Sequence, residues 1–244
     1  MEVIIVGREN AELAQITEFL KNSSKNTIET PKKRIPRIER PSGFEYENGI
    51  KDRSRVVELA EVFTPEWVIE KMLNELPPEL FDEPKSRFLE PSCGNGNFLI
   101  EILARKLEYI ASEIPKTRRD FAVFVSLAST YGIDINQQNI QEARKRIWNL
   151  VEMFLNLHLK ESASDLEFHQ VLKHVIEGNI IVGDTLKGGE QIQIIEYTYP
   201  SETLVTRRLF TFLELQELNG SMLMFPRPTR FLPTVDFKEI TNVD

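Results

Sequence analysis

Between Phe88 and Leu103 the chain reads FLEPSCGNGNFLIEIL, and this stretch constrains the fold more than any other. A short apolar run ends in an acid and a proline. A turn of small residues follows, and then apolar residues at helical spacing. Strand, tight turn and helix in that order make one βα unit of a parallel sheet. Gly94 and Gly96 let the backbone approach a ligand where a Cβ would block it. The helix behind them points its free amides back into the turn. Taken alone, a Gly-x-Gly pair fits a plain tight turn equally well. A dinucleotide fingerprint would want a third glycine where Leu99 stands.

The same alternation runs along the chain. Thr64 suits a helix cap, Pro65 the first turn and Glu66 the positive helix end, ahead of a stripe of Val68, Ile69, Met72, Leu73 and Leu76 that Pro77-Pro78 closes. Arg118–Thr130 fits helix or strand, and the strand-like YGIDI that follows it favours helix. Ile140, Ala143, Ile147, Leu150, Val151 and Phe154 predict a long helix, and NIIVGDTL a further short strand ending in an acid. Strands alternating with helices predict an α/β fold, a doubly wound, mostly parallel, Rossmann-like sheet. After Leu186 the pattern changes to period two on either side of Pro200-Ser201, which predicts an antiparallel hairpin near the C-terminal end. Three regions are expected: an N-terminal appendage with a proline-containing linker over 1–49, the main domain over 50–218 and an irregular tail over 219–244. EVIIV at the start fits a short buried strand or a docking segment, and Glu9–Asn22 a helix.

Composition narrows the functional classes. A net charge of −8 over 244 residues argues against nucleic-acid binding through the average field. DNA contact would need a partner or a local basic segment, and PKKRIPRIERP (Pro31–Pro41) is the candidate; a solvated linker is the alternative. The lone Cys93 rules out an internal disulfide, and the spacing of His158, His169 and His174 gives no reason to expect a metal. No apolar run reaches the ~20 residues of a membrane span, and the N-terminus lacks a leader pattern, so the expected location is the cytoplasm.

Ligands of such sheets bind at the carboxyl ends of the strands. Asp134 in YGIDIN would sit there, suited to a pair of ribose hydroxyls, with Ile135 beside a base. Asp184 in VGDT would sit there too, suited to an adenine amine. Helix capping by Asp134 or Asn136, and a turn cap at Asp184, are the alternatives. Glu90, ending its strand, can accept from an ammonium or from loop amides.

Taken in series, EVFTPEWVIEKML, FLEPSCGNGNFLIEIL, YGIDINQQNIQEARKRI and NIIVGDTL resemble the motifs of the S-adenosylmethionine-dependent DNA adenine methyltransferases of restriction-modification systems. The arrangement is similar to the subclass in which Phe-Thr-Pro precedes the glycine loop, over about Arg55 to Leu186. The resemblance implies S-adenosylmethionine as cofactor. It implies that Phe63, Thr64 and Pro65 line its methionine end, and that Glu90, Cys93, Gly94 and Gly96 form the loop around it, with Asn97 and Phe98 opening the helix. It further implies that Asp134 takes the ribose hydroxyls, Ile135 lies by the adenine and Asp184 takes the adenine amine.

The chain departs from that family where the base is handled. The family's Asp/Asn/Ser-Pro-Pro-Tyr/Phe loop accepts hydrogen bonds from the target amine and stacks on the flipped base. The single Pro-Pro pair here, Pro77-Pro78, precedes the glycine loop. At the expected place stands EYTYPSE (Glu196–Glu202), where Glu196 or Glu202 is a substitute acceptor or the whole is a hairpin turn. No catalytic residue is assigned. The resemblance therefore implies an N6-adenine methyltransferase-like protein of a restriction-modification, defence or phage system, not expected to act alone. A protein partner would supply target recognition. The alternatives are a non-catalytic cofactor-binding or partner-docking subunit, and a methyltransferase acting on RNA, protein or a small molecule.

Overall fold

The apolar run ahead of the glycine turn forms a strand, Phe88–Glu90, buried at every residue. Chain order makes it β2, because Ile4–Ile5 forms β1 beside it. The computed structural model describes residues 4–5, 64–213 and 227–242. The predicted helix at Glu9–Asn22, the basic Pro31–Pro41 stretch and Phe63 lie outside the described residues. On the other side of β2 come β3 (Thr130–Asp134) and β4 (Ile180–Val182), giving a parallel sheet in the order β1-β2-β3-β4. The register sets Leu89 beside Tyr131 and Ile133 beside Ile181. Side chains alternate across a strand, so these four share one face, and Phe88, Thr130, Gly132 and Ile180 share the other.

Helices cover that second face. α1 (Glu66–Asn74) packs Ile69 and Leu73 against Phe88 and against Phe98 and Ile102 of α2 (Asn97–Glu113). Thr64 does not cap α1. Pro65 is the cap residue, and its carbonyl accepts from the amides of Val68 and Ile69. The ambiguous segment is helical, α3 (Lys116–Ala128), and the predicted long helix is α4 (Gln137–His158), with all six stripe residues buried. Sequence reasoning passed over α5 (Lys160–Ala163) and α6 (Leu166–Asn179). The signal was present: Asp165 caps α6 by accepting from the Phe168 amide, and Phe168, Val171, Leu172, Val175 and Ile176 recur at helical spacing. The fold is α/β and Rossmann-like.

The other face of the parallel sheet meets a separate antiparallel sheet. β5 (Gln193–Thr198) and β6 (Leu204–Thr211) form the predicted hairpin. Ile192, Ile194 and Phe212 pack on Leu89, Tyr131 and Ile133. The tail was expected to run irregularly, packed on the domain or on something else; residues 227–242 pack on the domain and include short regular elements. β7 (Arg230–Phe231) and β8 (Val235–Asp236) pair with β6, and a 3-10 helix over Phe237–Asn242 buries Phe237 and Ile240. The aromatic and aliphatic positions of that tail find a core in α3, α6 and β6, which supplies the free energy of ordering it. Among the described residues no helix is long and apolar enough to cross a membrane.

A buried lysine lies at the amino ends of the strands. Lys106 of α2 is fully buried and donates to the carbonyls of Ser86 and Pro84 and to Ser129 Oγ at 2.6, 3.2 and 2.8 Å. Burial lowers its pKa to about 7, with the nearby Glu83 acting in the opposite direction.

Candidate functional site: the carboxyl edge of the parallel sheet

The glycine turn is built at the carboxyl end of β2. Both glycines take positive φ, 52° at Gly94 and 87° at Gly96, a region that an L side chain rarely enters. Space is as tight as conformation: a Cβ on Gly96 would stand 3.1 Å from Ala143 Cβ of α4. The turn is tied to β3 through the Cys93 amide, which donates to the Ile133 carbonyl at 2.9 Å. Gly132 on β3 must also lack a side chain, since a Cβ there would meet Leu99 Cδ1 at 2.6 Å and Cys93 Sγ at 3.1 Å.

The structure brings most of the predicted residues to this edge. Asp134 Oδ2 accepts from the Gly94 amide at 2.9 Å, and Oδ1 accepts from the Asn136 amide at 2.8 Å and from Asn139 Nδ2 at 3.3 Å. Thus Asp134 braces the glycine loop and the start of α4 together, and Asn136 caps α4 by accepting from the Gln138 amide. A carboxylate offers about four acceptor positions, so three protein donors leave Asp134 room for one more. Asp184 Oδ1 accepts from the amides of Leu186 and Lys187, which is the turn cap anticipated as its alternative role. Thr185 Oγ1 donates to the Pro91 carbonyl at 3.2 Å and ties that turn to the glycine loop. Thr64 reaches the site through its carbonyl, which accepts from Asn97 Nδ2 at 3.3 Å. Ile135 is 56% exposed at the rim, with Val182 and Leu186 also exposed.

Two predicted residues serve packing. Phe98 is buried in the cluster with Ile69, Phe81 and Phe88, and Cys93 is buried against Gly132. Burial, with the charges of Asp134 and Glu90, pushes the Cys93 thiol well above its ordinary range.

Glu90 carries the sharpest electrostatic signal. It is 3% exposed, and its Oε2 is buried with no hydrogen-bond partner among the described residues. Burial first, and then the charge of Asp134, hold its carboxyl well above the usual range against the opposing donation from the Ser92 amide. A buried carboxylate oxygen without a donor costs free energy until a donor or a cation reaches it.

Sequence reasoning missed the wall opposite. Along α4, Asn139 grips Asp134, Glu142 accepts from Asn95 Nδ2, Ala143 closes on Gly96, and Arg146 donates to the Asn95 carbonyl and Asn97 Oδ1, both at 2.8 Å. The available signal was the pair of asparagines flanking Gly96, facing polar residues at spacing three and four along a helix otherwise apolar on its inner side.

EYTYPSE lies at the opposite end of the sheet. β5 starts at the carboxyl edge, where a Cβ on Gly183 would meet Ile192 at 2.7 Å. It runs to the amino edge, where Arg87 just before β2 donates to the Tyr197 carbonyl at 3.3 Å. Glu196 is held between Arg87 and Arg208 at 3.4 and 3.5 Å, and Glu202 pairs with Arg118. Tyr199 sets its ring edge-on to Phe121. Both acids and the aromatic are committed to joining β5 and β6 to α3 and β2, far from the glycine loop.

Comparison with known proteins matches residues 68–196 to a family model described as MmeI, DNA-methyltransferase domain. No curated protein and no solved structure matches the chain. The match spans just over half of the 244 residues and contains the whole site described above save Thr64 and Pro65, so the chain belongs to the MmeI-type DNA-methyltransferase domain family of restriction-modification methyltransferases.

Proposed function

We propose that this chain is the S-adenosylmethionine-binding unit of a DNA adenine N6-methyltransferase of a restriction-modification or related defence system, working in the cytoplasm. The observation that carries the reading is Oε2 of Glu90, buried with no hydrogen-bond partner among the described residues, beside a glycine loop with no room for a side chain at Gly96. These residues fit the cofactor. Glu90 offers a carboxylate to an ammonium, whose charge would offset the burial that now raises the carboxyl pKa. Gly94 and Gly96 leave the backbone open to close approach. Asp134 keeps acceptor capacity for a ribose hydroxyl, and Ile135 an exposed apolar face for a base. Asp184 Oδ2 makes no hydrogen bond among the described residues, which suits it to an adenine amine. When bound, the cofactor supplies an electrophilic methyl group, and the chain's own part is to hold and orient it and to keep the loop rigid.

A second element of the reading is that transfer needs a partner. The position of EYTYPSE at the amino edge favours this, because neither Glu196 nor Glu202 can reach a base presented at the glycine loop. The partner would supply both the base-handling loop and target recognition, and would carry the DNA contact that a net charge of −8 disfavours in this chain.

The test is methyl transfer from radiolabelled S-adenosylmethionine to mixed DNA, with the purified chain alone and in lysate of its host. The expected result is no incorporation by the chain alone, and label at adenine N6 when lysate is present. Transfer to DNA by the isolated chain at ordinary enzyme rates contradicts the need for a partner. Label confined to RNA, protein or small molecules would replace DNA as the acceptor, and no label under any condition would contradict the methyltransferase reading.

A further inference from the structure

We infer that Arg146, with Glu142 one turn before it on α4, is a positioning pair that sets the shape of the cofactor loop; this rests on the function proposed above. The loop presents two buried asparagines, Asn95 at 0% and Asn97 at 4% exposure, on either side of Gly96. Gly96 itself gives the loop no side chain by which to be held, and a positive φ that must be maintained. Both asparagines are instead held from α4. Glu142 accepts from the side-chain amide of Asn95 at 3.3 Å, while Arg146 Nη1 donates two hydrogen bonds, to the Asn95 carbonyl and to Asn97 Oδ1. The Asn97 carboxamide is thereby oriented: with its oxygen fixed by a guanidinium, its nitrogen faces the Thr64 carbonyl at 3.3 Å. One side chain on α4 therefore fixes the loop backbone, and through Asn97 it fixes how close the Thr64-Pro65 segment comes to the loop.

A comparison within the same helix separates this role from ordinary stapling. Arg144 also binds two carbonyls, those of Ile180 and Glu177, both at 2.8 Å. Its bonds tie α4 to α6 and β4 and touch nothing in the loop. Removing either arginine strips two charge-assisted bonds, part-buried except for that of Arg144 to the exposed Glu177 carbonyl, so both should lower the melting temperature by a few degrees. Only Arg146 should alter ligand affinity, because effects on a site arise from displacing the groups that line it.

The experiment compares Arg146→Ala, Arg146→Lys and Arg144→Ala in the full chain, reading the affinity for S-adenosylmethionine by calorimetry, the ligand-free melting temperature, and amide hydrogen exchange over Asn95–Phe98. The expected results are affinity at least tenfold weaker in Arg146→Ala, recovery to within about threefold of wild type in Arg146→Lys, whose single ammonium can serve both acceptors, and wild-type affinity in Arg144→Ala despite its lower melting temperature. Exchange over the loop should quicken in Arg146→Ala alone. Wild-type affinity in Arg146→Ala, or equal weakening in Arg144→Ala, overturns the inference. Should the wild-type chain bind no S-adenosylmethionine, the proposed function fails, and exchange decides the inference by itself: selective quickening in Arg146→Ala upholds the clamp and unchanged exchange overturns it.

Discussion

Asp134→Ala is expected to remove nearly all stabilisation by S-adenosylmethionine and to lower the melting temperature of the ligand-free chain as well. Both effects follow from one carboxylate with two tasks. Its oxygens accept from Gly94, Asn136 and Asn139, so truncation strands two backbone amides and one side-chain amide at a residue only 8% exposed. Hydrogen bonds to charged groups contribute about 1.5–3 kcal/mol each when measured singly, and three on one group do not add fully. A loss of roughly 3 kcal/mol is the scale expected, several degrees in a chain of this size. Because the structural loss alone would loosen the loop, Asn139→Ala serves as the partner variant. It frees part of Asp134 Oδ1 while leaving Gly94 held, and should cost about 1 kcal/mol of stability with ligand affinity preserved or raised. Thermal melts with and without ligand read both. Full ligand stabilisation in Asp134→Ala would show that the site lies elsewhere.

Lys106→Met should destabilise the fold by about 2 kcal/mol at pH 7, because the Ser86 and Pro84 carbonyls and Ser129 Oγ lose a shared donor in a fully buried place. Its pH signature is more diagnostic than its size. Burial lowers the pKa of Lys106 to about 7 from an ordinary 10.5. Between those values the unfolded chain holds a proton that the folded chain has released, so the unfolded state binds more protons and the stability due to this group rises with pH. The contribution is fully present above about 10.5 and is lost as pH falls through about 7. Urea denaturation at pH 7, 8 and 9 should show a slope in wild type that exceeds that of Lys106→Met by up to about 1.4 kcal/mol per pH unit. Parallel slopes would mean that Lys106 stays protonated in its pocket, held as an ammonium by its three acceptors.

What the sequence disclosed, it disclosed through period and spacing. The stripe from Ile140 to Phe154, the hairpin about Pro200-Ser201 and the βα unit at Phe88 were legible because burial and local geometry follow directly from side-chain alternation. The tail was not. Phe237 and Ile240 look like stray apolar residues in a proline-rich stretch until α3, α6 and β6 are placed around them. Among site residues, the glycines and strand-end acids could be located because a turn demands glycine and a strand end exposes its acid. Their long-range hydrogen bonds were illegible. The turn cap at Asp184 and the inward packing of Phe98 follow from turn chemistry and helical spacing, but the loop is held by Glu142 and Arg146, which lie 47 to 51 residues from their partners. Only the folded chain shows that EYTYPSE, which comes after β4 where a base-handling loop would stand, is carried to the far edge of the sheet.

Isothermal titration of the purified chain with S-adenosylmethionine, repeated with Glu90→Gln, tests the central claim most directly. Saturable one-site binding by wild type is predicted, weakened at least tenfold in Glu90→Gln, which keeps shape and burial but removes the carboxylate that a cation would meet. Absence of binding in wild type, or equal affinity in Glu90→Gln, would contradict the assignment of the carboxyl edge and its buried acid as the cofactor cradle.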